Sequence, residues 1–375
     1  MKQIYLDNHA TTQMSHEVRQ AMEPYWVEHF GNTHSPHPFG WVAKEAVEQA
    51  RAQVAETLGA DSREIYFTSG ATEANNWAIL GLLERFSFSG HLITTICEHK
   101  SVLNTCAYAE KRGVQVTYLP VDHEGRIRLE QIQQALRPDT RVVSIMAANN
   151  EIGTIYPTAE IGRLCKEQGT LLHVDAAQAM GKIAIDVQEW QVDLLSLSAH
   201  KFHGPKGVGA LFVRRQNPRV RLAPLLHGGE QEGGLRPGTL NVPGIVGLGA
   251  ACRHLDTAIA AQEISQLRDF FLQGLQALHP DIRLNGPRHE RLCNHLSVTL
   301  PMLKEGLSPL TLLRGLAVST GSACAAGTGQ ISHVLKAIGL ERSLAQKTVR
   351  FGLSRYTTQS ELSEALKIIG QALKP

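Results

Sequence analysis

The sequence lacks a charge imbalance: across 375 residues, 37 Lys and Arg against 35 Asp and Glu leave a formal charge of only +2. So even a balance provides no electrostatic footprint for a nucleic acid or an anionic membrane, and direct contact with either is not expected. No apolar run approaches the ~18 residues of a membrane span. The opening Met1-Lys2-Gln3-Ile4-Tyr5-Leu6-Asp7 holds no apolar stretch of signal-peptide length, so a cytoplasmic location is expected. Six cysteines, at 97, 106, 165, 252, 293 and 324, form no CxxC pair, and HExxH does not occur. Neither a zinc cluster nor a disulfide framework therefore has support from spacing. A Walker loop is missing, and no GxGxxG follows a strand pattern. Repeats and low-complexity segments are absent too. What remains is ordinary globular material, 43% hydrophobic and 19% charged, with enough chain for a large core.

Within that material, extended and helical patterns alternate. Strand-like runs fall near 64–68, 91–96, 114–118, 141–146, 171–174, 193–198 and 209–213. Helical spacing of Ala, Val and Leu falls near 15–25, 41–58, 72–85, 129–136 and 158–168. That rhythm predicts an α/β fold with a mainly parallel sheet covered on both faces. After a Gly-rich stretch, 227–238, one long helix over about 244–278 is expected to bridge into a smaller α+β unit. The expected division is 15–255 for the large domain, with 1–14 and 256–375 forming the small one.

Several motifs carry chemistry. Ser69-Gly70-Ala71-Thr72-Glu73 follows a strand and opens a helix, where free N–H groups and the positive dipole end suit an anion; an ordinary Ser69 or Thr72 cap is the bland alternative. The strand 171–174 ends in Asp175, in the ligand crevice of a parallel sheet. The strand 193–198 runs into Ser198-Ala199-His200-Lys201, and the interval from 175 to 201 leaves room for one crossover. A lysine and a carboxylate so placed suit pyridoxal phosphate, which is held as a Schiff base while the acid keeps its ring nitrogen protonated. Gly204-Pro205-Lys206-Gly207 follows, as a tight turn beside a cofactor or a plain hairpin, with Lys206 the lesser rival to Lys201. His99 follows another strand and is placed to stack on a planar group or move protons. Asn149-Asn150 offers an amide for a ring hydroxyl or carboxylate, or merely a turn. Arg350, flanked by Val349 and Phe351, wants a carboxylate: either a bidentate substrate clamp or a buried acid.

The setting of Cys324 is distinctive. Ser319-Thr320-Gly321-Ser322-Ala323-Cys324-Ala325-Ala326-Gly327-Thr328-Gly329 has no large apolar side chain to anchor it. A cysteine there is expected to be an exposed nucleophile on a flexible tether, able to swing on the order of 10 Å at ~3.3–3.6 Å per extended residue.

As a set, these motifs resemble those of the pyridoxal-phosphate-dependent cysteine desulfurases of the NifS/IscS type. The likeness runs from Tyr5-Leu6-Asp7-Asn8-His9-Ala10-Thr11-Thr12 through Glu98-His99-Lys100, His173-Val174-Asp175-Ala176-Ala177-Gln178 and Arg236-Pro237-Gly238-Thr239 to Arg350-Phe351-Gly352. The resemblance implies PLP fold type I, with a seven-stranded sheet in the large domain. It implies that Lys201 carries the cofactor and shuttles a proton, that Asp175 pairs with the ring nitrogen and Gln178 with the phenolic oxygen, and that His99 stacks on the ring. Ala71, Thr72, Ser198 and His200 would hold the phosphate, with Thr239 reaching in from the partner of a homodimer. Asn150 and Arg350 would fix the carboxylate of L-cysteine, and Cys324 would take its sulfur as a persulfide, leaving L-alanine. The long small-residue loop suits the group of these enzymes that passes sulfur to a distant acceptor protein, for iron–sulfur assembly, tRNA thiolation or DNA modification. Ile331 and Pro237 depart from the usual proline and serine and leave the acceptor open. Another fold-type-I reaction, an aminotransferase or selenocysteine lyase, shares Asp175 and Lys201 but needs no travelling thiol.

Overall fold

Short β-branched and leucine-rich runs bounded by Gly or polar turns form the strands of the computed structural model, which describes residues 3–255, 257–304, 308–320 and 331–374, with 257–260 in backbone only. In chain order these are β1 Ile4–Tyr5, β2 Ile65–Thr68, β3 His91–Thr95, β4 Gln115–Leu119, β5 Thr140–Ser144, β6 Leu171–Asp175, β7 Leu194–Ser198, β8 Gly209–Val213, β9 Arg283–Leu284, β10 His295–Thr299, β11 Leu316–Ala317 and β12 Thr348–Gly352.

Seven of them make one sheet in the order β2-β8-β7-β6-β5-β3-β4. Strands β3 to β7 run parallel, and β8 lies antiparallel between β7 and β2. The expected mainly parallel sheet is present, and the Gly204–Gly207 turn serves as a hairpin. The link from β7 to β8 is too short for a helical crossover, so the chain must return beside the strand it left.

Successive residues in each strand point to opposite faces, and both faces are buried. Ile93, Val143, Val174 and Leu195 meet helices Pro38–Leu58, Thr158–Glu167 and Val242–Arg253 on one side. Their neighbours Leu92, Val142 and Leu194 meet Trp77, Leu82, Val102 and Cys106 on the other. A separate core gathers Phe271, Leu275, Leu362 and Ile369 from helices Thr257–Leu278 and Gln359–Ala372 over β10 and β12, and it takes in Ile4 and Leu6.

The single long helix expected over 244–278 is two helices, Val242–Arg253 and Thr257–Leu278. The first is rich in Gly and Ala and lies in the sheet's core, where a Cβ on Gly249 would stand 2.7 Å from the Ala50 backbone. The second packs on the other core. The break falls where the chain changes cores, which the composition does not mark. Among the described residues, no helix is long and apolar enough to cross a membrane.

Candidate active site

The carboxyl ends of the parallel strands open into one cavity of about 540 Å³. Among the expected residues it is lined by Ala71, Thr72, His99, Asn150, Asp175, Gln178, Ser198, His200, Lys201 and Arg350. They converge because parallel strands place their ends, and the loops after them, along one edge of the sheet.

Asp175 ends β6 and is 6% exposed. Its Oδ1 accepts the Ala177 N–H at 2.9 Å, and its Oδ2 accepts Asn75 Nδ2 at 2.7 Å. Two donors hold the carboxylate in place. His99 stands where β3's loop enters helix Lys100–Lys111, and it caps that helix through Nδ1. Burial lowers its pKa, against the opposing pull of Asp175.

At one end of the cavity the chain turns from β2 into the helix beginning at Ala71. Neither Ser69 nor Thr72 caps it. The N-cap is Gly70, at φ 147°, with no side-chain cap bond. The first amides of that helix are therefore left for an anion. Gly209 in β8 lets the turn lie close: a Cβ there would stand 2.7 Å from the Gly70 Cα. Ser198 and His200 border the same end. Burial, followed by the nearby Lys201, drops the His200 pKa to about 4, so the ring is neutral and its Nδ1 meets Thr11 Oγ1 at 3.1 Å.

Lys201 follows β7, and its Nζ donates to the carbonyls of His9 at 2.7 Å and Ala10 at 2.9 Å. Lys206 also borders the cavity but is exposed, on the outer part of the hairpin. The N-terminal segment thus forms part of the wall, and His9, Ala10 and Thr11 line it. His9 is fully enclosed, its Nδ1 3.1 Å from Gln178 Oε1 and its Nε2 3.2 Å from the Asn294 carbonyl. Burial, then Arg350 and Lys182, hold its pKa well below the ordinary value. Gln178 in return donates Nε2 to the His9 carbonyl at 3.0 Å.

Both alternatives posed for Arg350 bear on one side chain. In β12 its Nη2 pairs with Asp7 Oδ1 at 2.9 Å and its Nη1 donates to the Asn150 carbonyl at 3.0 Å, while the residue also lines the cavity. Its Nε is buried without a hydrogen-bond partner among the described residues. Asn149 takes the turn role, accepting from the amides of Glu151 and Ile152, which leaves Asn150 to the cavity.

Thr239 is exposed and outside the cavity of its own chain. Cys324 and the small-residue segment from 321 to 330 lie outside the described residues. The other five cysteines are buried as free thiols. Burial raises the pKa of each, to about 12 for Cys97, Cys165 and Cys252, so they are protonated and inert at neutral pH. Sequence reasoning passed over Asn75, Ser101 and His9. For Asn75 a signal existed, since it stands one helical turn beyond Ala71 and so on the same face. His9 had none beyond its place in the N-terminal motif.

A lysine and a carboxylate at neighbouring strand ends, beside an uncapped helix start, define a pyridoxal-phosphate enzyme of fold type I. Residues 4–364 match the family described as aminotransferase class-V. The chain belongs to that family, among its cysteine desulfurases. A cysteine desulfurase IscS of Rickettsia typhi is 45% identical over 370 residues, 98% of this chain and 90% of its own. The structure of a NifS-like protein superposes with a TM-score of 0.90 at 40% identity, covering 98% of each chain. SspA in complex with cysteine matches with a TM-score of 0.84 at 39% identity, over 95% of this chain and all of its own.

The donor set suits pyridoxal phosphate. The cavity lining brings together the uncapped start of the Ala71 helix, the side-chain donors Ser198 and His200, an anchored carboxylate, a primary amine and the His99 ring. Met146, Ala148 and Ala177 supply apolar wall for a flat ring.

Proposed function

We propose that this cavity converts L-cysteine to L-alanine, and that the sulfur leaves as a persulfide on Cys324 for delivery to an acceptor protein. The observation that carries the reading is the meeting in one cavity of Asp175, Lys201 and His99, from three strand ends of the large sheet, with Arg350 from the middle of β12.

When bound, pyridoxal phosphate supplies an electron sink that loosens the bonds around the substrate's α-carbon. Lys201 would hold the cofactor through its Nζ, which is also placed to move a proton. Asp175, held by the Ala177 and Asn75 donors, would face the ring nitrogen and favour its protonated form. Gln178 addresses the phenolic oxygen and His99 covers the ring. The amides at Ala71 and Thr72, with Ser198 and His200, grip the phosphate, and His200 does so as a neutral donor. Arg350 and Asn150, both lining the cavity, orient the substrate carboxylate. Cys324 forms the S–S bond as the substrate's C–S bond breaks, and the proton balance is closed at the alanine carbon.

The acceptor serves iron–sulfur assembly, tRNA thiolation or DNA phosphorothioation, in the cytoplasm. In this reading the chain works as a homodimer, with Thr239 completing the phosphate end of the partner's cavity. The exposed aromatic group of Trp26, Phe30, Phe39 and Trp41 favours such a contact. Residues 15–255 form the large domain, and 1–14 with 256–375 form the small one, which carries the Cys324 loop.

The deciding experiment is Cys324→Ser. The variant should bind cofactor and cysteine as the parent does, yet release alanine about a hundredfold more slowly or worse. Full alanine and sulfide production by the variant would overturn the desulfurase reading in favour of another fold-type-I reaction.

A further inference from the structure

Two side chains outside the mechanism above lie directly behind the cavity. Asn75 is 0% exposed, and its Nδ2 donates to Asp175 Oδ2 at 2.7 Å and to Ser101 Oγ at 2.8 Å. Ser101 Oγ stands 2.8 Å from His99 Nδ1, and the Ser101 backbone N–H reaches the same nitrogen at 3.2 Å. The polarity of this chain follows from what each group can do. An amide NH2 only donates, so Ser101 Oγ accepts from Asn75 and its own proton is directed on to His99. Turning the amide over would set an oxygen against the Asp175 carboxylate, two acceptors face to face. His99 Nδ1 therefore meets two donors and must present its lone pair. A neutral ring with that constraint carries its proton on Nε2.

We propose that Asn75 and Ser101 are positioning residues that fix His99 in the Nε2–H tautomer and tie it to Asp175, so that His99 offers the bound group a donor, not a base. The ring that covers the cofactor and the acid that meets its nitrogen are then held by one four-residue chain, Asp175–Asn75–Ser101–His99. A shift in either is felt by the other. The other charged and titratable groups acting on His99 include Lys201, Glu151 and His333, and the hydrogen bonds to Nδ1 come from Ser101. The inference rests on the pyridoxal-phosphate reading only for the identity of the bound group; the tautomer belongs to the chain itself.

The test is nitrogen-15 NMR of cofactor-free protein labelled at histidine, with the His99 signals assigned by their loss in His99→Gln. At neutral pH the wild type should show an unprotonated, hydrogen-bonded Nδ1 and a protonated Nε2. Ser101→Ala should move the Nδ1 signal toward that of a nitrogen accepting one bond fewer and raise the ring's pKa, and Asn75→Ala should do so to a smaller extent. Ser101→Thr, which keeps the hydroxyl, should restore the wild-type signals. In the loaded enzyme, Ser101→Ala should lower kcat about five- to tenfold, the loss of one hydrogen bond's worth of orientation, and move the acid limb of the pH profile. An Nδ1–H tautomer or a doubly protonated ring in the wild type would overturn the proposal, as would an unchanged spectrum in folded Ser101→Ala. The wild-type measurement stands even if a variant fails to fold. Should the wild type show the expected tautomer yet release no alanine from cysteine, the functional reading fails and the positioning chain survives.

Discussion

The two walls of the cavity are made of different material. One wall comes from the sheet and the helices beside it, where Asp175, Asn75, Ser101 and His99 direct every side-chain N–H and O–H of the two bridging residues to a partner. The other comes from the extremes of the chain, with His9 and Asp7 near the start and Arg350 near the end. There Arg350 Nε has no partner among the described residues, and His295, whose ring centroid lies 4.4 Å from that of His9, has an unpartnered Nδ1. A wall whose carboxylate and ring are tied into one chain can hold a resident group by shape and charge. In the proposed reading, the cationic wall gains when an anion arrives and loses when it leaves, as an exchanging substrate requires.

The largest effect expected is at the resident side. Lys201→Ala should abolish alanine formation and remove the visible absorbance of lysine-linked cofactor; retained turnover at parental rates would break the assignment of that wall. Next comes Arg350→Ala on the exchanging side. Here kcat/KM for cysteine should fall by about a hundredfold, mostly through KM. The fold should lose about 3 kcal/mol as Asp7 is left without its partner. A fall in kcat alone, at unchanged KM, would assign Arg350 to the resident group instead.

A smaller effect sharpens the contrast through pH. Glu98 lies behind the resident wall, where Oε1 accepts the Met146 N–H at 3.0 Å and Thr95 Oγ1 at 3.1 Å while Oε2 has no partner among the described residues. Burial raises its pKa from 4.5 to about 8. Between those values the native state holds a proton that the unfolded chain has released, so wild-type stability falls as pH rises through that window. Glu98→Gln should cancel the fall and gain on the wild type by about 3–4 kcal/mol between pH 5 and pH 8. Denaturant midpoints at pH 5 and pH 8 check it, and a constant gap between the two proteins would refute it. His173, also on the sheet, has the opposite sign. Burial lowers its pKa to about 4, and its ring bonds Ser144 and Ser196, so its contribution is lost on acidification from 6.5 toward 4.

Residues at strand ends were legible because sheet topology alone decides where they go. Asp175 and Lys201 needed only the alternation of patterns to be placed in one crevice. The Ser69–Glu73 turn was legible as an anion site but not its cap, since the choice among Ser69, Gly70 and Thr72 depends on backbone dihedrals. Arg350 was read as needing a carboxylate, and Asp7 supplies it from a separation of 343 residues, which no local pattern discloses. The Asn75–Asp175 bond spans 100 residues and His9–Gln178 spans 169, so those partners emerge only from packing. The break after Arg253 was illegible for a similar reason, since both helices read as one apolar run until each finds its own core.

The reach of Asp7 to Arg350, together with the pairing of β1 on β11, also sets an order of manufacture. During synthesis the early strands emerge and pack while the exchanging wall still waits for residues made last. On the proposed role of Arg350, a half-made chain buries its sheet and assembles its resident wall before it gains the arginine that would grip a substrate carboxylate. Desulfuration would then begin only once the last strand is in place.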